Sequence, residues 1–280
     1  MNLTKTKSKL DVSYLGPEGT YTHLATTKYF SSGVKLAPCS SIRKVFDSVT
    51  EGITNFGVVP VENSYIGSVS LTLHMLMSSS LLICGEVEIP IHHNLLSKAD
   101  SLSDIDSVFA HPQALDQCSL WLEKNLSEAN ANQALSNADA AKKTLENKSA
   151  AAIASKFAAN IYNLNILAER IEDHYENATR FLVLGNDNVR ESESDKTSLL
   201  FSASDTKGAG VLYDLLNPLS KNNISMTRIQ SLPSKTKKWD YIFFVDIEGH
   251  SKNKIVKEAL LEIKSKATLF KILGSYKKSE

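Results

Sequence analysis

The sequence has little of what several specialised protein classes require. Its 280 residues include only three cysteines, Cys39, Cys84 and Cys118, and no Cys-x-x-Cys pair, so a metal knuckle or redox pair is not indicated and a reducing compartment is favoured. Lysine plus arginine equals aspartate plus glutamate, 31 each, which argues against nucleic acid or an anionic membrane surface as the partner. No apolar run approaches the roughly 20 residues of a membrane span, and no apolar segment follows the basic N-terminus as in a signal peptide. We therefore expect a cytoplasmic protein.

The sequence also lacks the short motifs that mark common catalytic and nucleotide sites. Neither GPEGT at 16–20 nor the later GSVS fits a P-loop or the G-x-G-x-x-G of dinucleotide-binding folds. A G-x-S-x-G nucleophile elbow and an H-E-x-x-H zinc helix are absent as well. The sequence therefore predicts no cofactor and no metal ion.

What is present up to residue 185 is an alternation of short apolar runs with helical patterns. Strands or extended segments are predicted at 11–15, 56–60, 81–91 and 108–110, and helices at 21–30, 41–49, 69–77, 113–124, 138–145 and 149–162. Such alternation is typical of an α/β layer architecture with mostly parallel strands.

The pattern changes after a polar, charged stretch that predicts a linker at 187–195. Beyond it, strands are predicted at 196–203, 224–232, 239–247 and 267–273, with helices at 208–220 and 251–264. This order, βαββαβ, is that of a ferredoxin-like unit.

Three loops in the first part share one design, because each joins an apolar strand to a helix. They are 16–20 (GPEGT), 60–68 (PVENSYIGS) and 110–113 (AHPQ). In an open α/β sheet such junctions form the ligand crevice, and helix N-termini favour carboxylates or phosphates. Each loop alone is as well explained by a capped turn, but together they predict a site for a small anion.

Polar side chains in and near these loops have two interpretations each. Asn63 and Ser64 suit a ligand with hydroxyl and carboxylate groups, or they satisfy their own turn. Glu62 is either a general acid or a tie for the loop. His93 follows another histidine, and on a strand at most one of two adjacent side chains faces a given cleft. For a single histidine, a hydrogen-bonded structural role is more common than a role in a ligand site. Gln117 lines a polar crevice or is simply exposed.

Several motifs, in one fixed order, resemble prephenate dehydratase. They are LGPEGTYTHLA, VVPVENSYIGSV, IHHNLL, FAHPQALDQC, AAIASKFAANIYNLNILAERIED and NATRFLVLG. The segments KTSLLF, GVLYDLL, IQSLP and WDYIFFVDIEGH that follow resemble the regulatory ACT domain, so the resemblance covers about residues 11–275. It implies a two-lobed catalytic domain like periplasmic binding proteins at 11–186, with the second lobe near 81–171, and an ACT domain at 196–275. The extension at 1–10 is too short for the chorismate mutase domain of some relatives, which implies the monofunctional form.

The resemblance also implies a reaction and roles for residues. Prephenate would lose carbon dioxide and water to give phenylpyruvate, with no cofactor, and Thr179 would act as a positioned donor to the departing hydroxyl. Arg180 would clamp a carboxylate, or else pair with a structural acid. The other residues expected to bind substrate are Asn63, Ser64, His93, Gln117, Thr20 and Glu62. Relatives often have serine where this chain has Ala110, which removes one hydroxyl from the expected pocket.

The ACT domain implies L-phenylalanine as effector and assembly into a homodimer or homotetramer. Its first effector motif, Gly-Ala-Leu, appears here as Gly210, Val211 and Leu212, and Ser231 and Pro233 keep half of the second, Glu-Ser-Arg-Pro. The other two positions carry glutamine and leucine, so two charges are lost and we expect feedback inhibition that is weaker or altered in selectivity. Two alternatives stay open: an arogenate dehydratase, and a non-catalytic amino-acid sensor.

Overall fold

The fold was analysed in a computed structural model that describes residues 11–30, 33–202, 209–234 and 241–279. The predicted extension at 1–10 lies outside the described residues, as do positions 203, 208 and 239–240 of the predicted elements. Among the described residues, no helix has the length and apolar character needed to cross a bilayer.

The first lobe contains the strands and helices up to residue 90. They are β1 (Asp11–Leu15), α1 (Tyr21–Phe30), β2 (Lys35–Cys39), α2 (Ile42–Thr50), β3 (Phe56–Asn63), β4 (Gly67–Ser68), α3 (Ser70–Ser78) and β5 (Leu82–Pro90). Helix α2 begins at an N-cap, Ser41, whose hydroxyl accepts from the amide of Lys44.

The second lobe follows. It comprises β6 (Asn94–Ser97), a 3₁₀ turn at Leu102–Asp104, β7 (Ser107–Ala110), α4 (Pro112–Gln117), α5 (Ser119–Asn125), β8 (Asn130–Gln133), α6 (Asn137–Lys143), β9 (Ala150–Ala154), α7 (Lys156–Tyr162) and β10 (Asn165–Ala168). Its sheet has the order β10-β6-β9-β7-β8.

The chain then returns to the first lobe through β11 (Ala178–Gly185). This strand lies between β3 and β5 and is antiparallel to both, which gives the first sheet the order β2-β1-β3-β11-β5. The crossing connects the lobes and brings the start of β11 beside the end of β3. The predicted two-lobed α/β arrangement is therefore confirmed, but both sheets mix parallel and antiparallel pairs.

The C-terminal unit contains β12 (Asp195–Ser202), α8 (Val211–Lys221), β13 (Met226–Pro233), β14 (Tyr241–Glu248), α9 (Lys254–Lys266) and β15 (Leu269–Lys277). Its antiparallel sheet has the order β13-β14-β12-β15, which confirms the ferredoxin-like βαββαβ unit.

Both faces of this C-terminal sheet are covered, because side chains of a strand alternate between faces. Leu199 and Phe201 of β12 belong to a core shared with α8 and α9. Leu200 between them belongs to a second core shared with α2, α3 and strands of the first lobe. At Gly274 of β15, an added Cβ would overlap the backbone of Ile83 in β5, so the two sheets approach closely there.

Three sequence predictions are wrong in the second lobe. The segment 149–162 is not one helix, because Ala150–Ala154 form a fully buried strand and the helix starts only after the Ser155 N-cap. Alanine favours helices, but small side chains also fit a central strand between two packed layers, and burial decided here. The predicted helix at 113–124 divides at Cys118 into α4 and α5. The lobe also starts later than residue 81, since Leu82–Pro90 pair with β11 in the first sheet.

Candidate active site

A cavity of about 430 Å³ lies between the lobes, where β3 ends, β11 begins and β7 leads into α4. Its lining includes four of the predicted substrate or catalytic residues: Asn63, His93, Gln117 and Thr179. The remaining lining residues are Tyr21, Pro60, Ile66, Gly67, Ser68, Val69, Ile91, His111, Gln113, Ala114, Asn137 and Asn177. Among these described residues there is no lysine or arginine.

Thr179 and Asn63 face each other across the first strand pair between β11 and β3. The Asn63 Oδ1 atom accepts hydrogen bonds from the backbone amides of Tyr65 at 3.0 Å and Ile66 at 2.9 Å. These two donors fix the orientation of the side-chain amide. Asn63 Nδ2 therefore donates to Thr179 Oγ1 at 2.9 Å. Since that oxygen already accepts, the proton of the Thr179 hydroxyl is available to a ligand.

The orientation of Asn63 also fixes the orientation of three further side chains. Asn63 Nδ2 also donates to Asn177 Oδ1 at 2.7 Å, so the other end of that amide, Nδ2, donates to Gln117 Oε1 at 3.3 Å. The Gln117 oxygen also contacts His93 Nε2 at 2.8 Å, and this nitrogen must therefore carry the proton. These hydrogen bonds fix which end of each side chain donates and which accepts in Asn63, Asn177, Gln117 and His93.

His93 is neutral in this arrangement. Its side chain is buried, and burial lowers its pKa, although the bond to Gln117 opposes the shift. The other ring nitrogen, Nδ1, is buried and has no hydrogen-bond partner. The preceding His92 has a different environment: its Nδ1 lies 2.8 Å from Glu172 Oε1, while Glu172 Oε2 accepts from the His93 amide. Only one of the adjacent histidines lines the cavity, as the sequence predicted.

Arg180 is not in the cavity. Because neighbouring residues of a strand point to opposite faces, its guanidinium faces the C-terminal sheet when Thr179 faces the cavity. Its Nε donates to Glu86 Oε2 at 2.7 Å, Nη1 to Asp246 Oδ2 at 2.5 Å, and Nη2 to the Tyr276 hydroxyl at 3.0 Å. Of the two roles predicted for Arg180, the structure shows the pairing with structural acids. The predicted carboxylate clamp is wrong for this geometry.

Three other predicted substrate contacts also have structural partners and do not line the 430 Å³ cavity. The single hydroxyl proton of Thr20 lies between two carbonyls, that of Leu15 at 3.1 Å and that of Pro17 at 3.0 Å from Oγ1, so Thr20 supports the loop before α1. Thr20 borders a separate cavity of about 850 Å³. Ser64 Oγ accepts from the Ala178 amide at 2.9 Å. Glu62 pairs with Arg228 of the C-terminal unit at 2.8 Å.

Several lining residues were not predicted from the sequence. His111 caps α4 through its Nδ1, its backbone amide donates to Asn137 Oδ1 at 2.9 Å, and burial lowers its pKa. The AHPQ loop signalled this position, but the histidine was not chosen. Asn177 opens the NATRF motif and was passed over as well. Ala110 is buried in the core of the second lobe and is not part of the lining, so the missing serine hydroxyl leaves the described cavity unchanged.

The predicted effector residues lie at two places in the C-terminal unit. Gly210, with φ of +89°, precedes α8, and Val211 and Leu212 begin the helix. On β13, Ser231 and Pro233 are exposed. The two positions that depart from the family motif alternate with them and face the first lobe: Gln230 reaches Ser68, and Leu232 is buried in the core shared with that lobe.

Comparison with known proteins gives matches along nearly the whole chain. A family model described as prephenate dehydratase matches residues 12–189, and one described as ACT domain matches residues 197–264. The chain is 45% identical over 273 residues to the bifunctional chorismate mutase/prephenate dehydratase of Aquifex aeolicus, covering 98% of this chain and 75% of the relative. It is 39% identical over 274 residues to the prephenate dehydratase of Methanocaldococcus jannaschii, covering 95% and 97%. The crystal structure of an Arthrobacter aurescens prephenate dehydratase in complex with L-Phe superposes with a TM-score of 0.87 at 28% identity, covering 96% and 90%.

Proposed function

The chain belongs to the prephenate dehydratase family, and we propose that it converts prephenate into phenylpyruvate in the cavity between its lobes, with Thr179 as the catalytic donor. The observation that carries the assignment of Thr179 is the bond from Asn63. Because the threonine oxygen accepts from an amide whose direction is fixed by two backbone donors, its own proton can be given only elsewhere. This is the arrangement that a departing hydroxyl requires.

The reaction balances as prephenate dianion plus one proton giving phenylpyruvate anion, carbon dioxide and water. The bond between the ring and its carboxylate breaks, and its electron pair completes the aromatic ring. The bond between the ring and its hydroxyl breaks with the pair leaving on oxygen. A threonine hydroxyl has too high a pKa to be the acid itself, so Thr179 donates a hydrogen bond to the leaving oxygen, and solvent supplies the net proton. A preorganised donor of this kind contributes roughly 2.7–4 kcal/mol to lowering the barrier.

The neutral lining of the cavity favours loss of the ring carboxylate. The described lining residues offer amides, hydroxyls, backbone groups and the imidazoles of His93 and His111, whose pKa values burial lowers, without a lysine or arginine. Such groups bind a carboxylate through hydrogen bonds but do not pair its charge in a low-dielectric site. Conversion of the carboxylate to neutral carbon dioxide therefore removes a charge that the site does not compensate.

We extend the proposal to regulation and assembly. L-Phenylalanine binds the C-terminal unit, at Gly210, Val211, Leu212, Ser231 and Pro233, in an assembly of two or four cytoplasmic chains. The related Arthrobacter enzyme in complex with L-Phe supports the effector. Feedback inhibition is weaker than in relatives or altered in selectivity, because Gln230 and Leu232 replace charged residues on the face of β13 that contacts the first lobe. We also propose that the catalytic domain spans 11–186 and the linker 187–195.

The test is the formation of phenylpyruvate from prephenate by the purified chain, with and without L-phenylalanine, and in parallel the rate on arogenate. Thr179→Ala should keep the fold and lower kcat by about 10²-fold or more, while Thr179→Ser retains more activity because it keeps the donor. A faster rate on arogenate than on prephenate would identify arogenate as the substrate instead. Binding of phenylalanine without any turnover would make the chain an amino-acid sensor.

A further inference from the structure

The turn that carries Asn63 is a short hairpin between β3 and β4. Two residue pairs hold it: Glu62 lies opposite Ser68, and Asn63 lies opposite Gly67. The Glu62–Ser68 pair therefore lies next to the Asn63–Gly67 pair, and Asn63 is the residue that orients the Thr179 hydroxyl. Ser68 also lines the cavity, so a displacement of this pair changes both the wall of the cavity and the base of the Asn63 turn.

Strand β13 of the C-terminal unit contacts both members of this pair. The guanidinium of Arg228 places Nε 2.8 Å from Glu62 Oε2. This contact is an ion pair and not a hydrogen bond, because the buried Nε–H has no hydrogen-bond partner among the described residues. The Nη2 atom donates to Ser68 Oγ at 2.7 Å. The Ser68 hydroxyl in turn donates to Gln230 Oε1 at 3.2 Å. Only 11% of the Arg228 side chain is exposed, so solvent screens this contact less than it would an open surface pair.

The planar guanidinium is suited to this position. Its planar, delocalised charge pairs with the Glu62 carboxylate while one N–H donates to the Ser68 hydroxyl, which a single ammonium does with less geometric control. By bridging Glu62 and Ser68, the guanidinium fixes the distance between the two strands of the hairpin. Asn63 follows Glu62 directly in this turn, and its side-chain oxygen accepts from the Tyr65 and Ile66 amides.

We propose that Arg228 is a positioning residue for catalysis: it belongs to the ACT domain and holds the hairpin that orients Asn63 and, through it, the Thr179 hydroxyl. This inference rests on the proposed function for its kinetic part. It also assigns Glu62 the role of the anchor that receives Arg228, in place of a substrate contact. A misplacement of about 1 Å at a reacting group can lower the rate by about 10²-fold, so a remote clamp can be important for turnover.

Steady-state kinetics on prephenate test the role. Arg228→Met should lower kcat by about 10- to 100-fold, with KM changed much less, because the substrate contacts remain but the donor is misdirected. Arg228→Lys should recover part of the loss. In a Thr179→Ala background the same Arg228→Met change should have little further effect, since the residue acts through the threonine. Equal fold-losses in both backgrounds would overturn the proposal.

Lys271→Met is the matched control. Lys271 is also a cation of the C-terminal unit that contacts the first lobe, but it donates to the carbonyls of Leu76, Met77 and Ser79 at the opposite end of α3. Its replacement should affect stability and leave kcat within a few-fold of the wild type. If Lys271→Met and Arg228→Met lower kcat equally, the effect is a general loosening of the interface and the proposal is wrong.

Hydrogen exchange separates this inference from the proposed function, because it needs no substrate. Arg228→Met should accelerate exchange of the Tyr65 and Ile66 amides by about 10-fold or more relative to the wild type and to Lys271→Met. Unchanged exchange at these two amides overturns the positioning role even if the wild type converts prephenate. Accelerated exchange in a protein that does not convert prephenate supports the clamp and overturns the function instead.

Discussion

Replacing Asn63 by aspartate turns the nitrogen that donates to Thr179, Asn177 and the Ala178 carbonyl into an acceptor oxygen, with almost no change of side-chain shape. The new side chain still accepts from the Tyr65 and Ile66 amides through one oxygen. The other oxygen takes the place of the nitrogen that donates to Thr179 Oγ1 at 2.9 Å. Since a carboxylate can only accept, the Thr179 hydroxyl has to turn its proton toward residue 63 and away from the substrate.

The expected loss follows from the strength of that misdirected bond. A hydrogen bond to a charged group contributes about 1.5–3 kcal/mol, and this must be given up each time the hydroxyl is to serve the leaving group. At 1.4 kcal/mol per factor of ten, kcat should fall about 10- to 100-fold. Complete loss of the donor, as in Thr179→Ala, sets the larger limit of about 10²- to 10³-fold.

Asn177→Asp provides the matched control in the same cavity. It adds the same negative charge and loses the bond to Gln117, but its carboxylate can still accept from Asn63 Nδ2, as Asn177 Oδ1 does now at 2.7 Å, so the direction of the Thr179 hydroxyl is kept. Both variants should raise KM for a dianionic substrate, and only Asn63→Asp should strongly lower kcat at saturation. Equal kcat values for the two variants, with both proteins folded by circular dichroism, would refute the reasoning about bond direction.

Three further changes test other parts of the structure. Arg180→Met leaves the buried carboxylate of Asp246 without its arginine, and Glu86 with Lys196 alone, and should lower the free energy of unfolding by about 3–5 kcal/mol in urea titrations; a loss below 1 kcal/mol would contradict the buried pairing. Because burial lowers the pKa of His93, the unfolded chain binds a proton near pH 6.5 that the folded chain does not, so stability should fall as the pH drops below about 6.5, and His93→Asn should reduce that slope. Gly274→Ala should cost about 1–3 kcal/mol, seen as a lowered urea midpoint, because the new methyl group overlaps the backbone of Ile83.

The fold was largely predictable from periodicity, and the errors have physical causes. Alternation of strands and helices, the polar linker and the βαββαβ order all follow from local patterns. The alanine-rich strand Ala150–Ala154 does not, because alanine favours a helix locally and only packing between two layers makes it a strand. The short strands Asn94–Ser97, Asn130–Gln133 and Asn165–Ala168 have four residues each, too few for a period to be recognised.

The site was predictable in part, and the limit was the direction of side chains. Motif order brought Thr179, Asn63, His93 and Gln117 together, and the structure places all four around one cavity. The role of Arg180 was left open because a motif does not say which face of its strand each residue occupies. The face that each residue of β11 occupies depends on the two strands beside it and on the second domain that packs behind the sheet. Such contacts join residues more than 60 positions apart in the sequence, as in the pair of Arg180 and Asp246.

The alternation of β11 has a consequence for how the proposed catalytic donor and the ACT domain are connected. Thr179 points into the cavity, and the next residue, Arg180, is bonded to Asp246 of the ACT domain. On the neighbouring β3–β4 hairpin, Asn63 directs the threonine and Glu62 is bonded to Arg228 of the same domain. Both strands that form the donor site are thus held from behind by ACT residues. A shift of the ACT sheet relative to the first lobe would therefore move the donor and its orienting amide together, and it needs no contact between effector and substrate to change the rate.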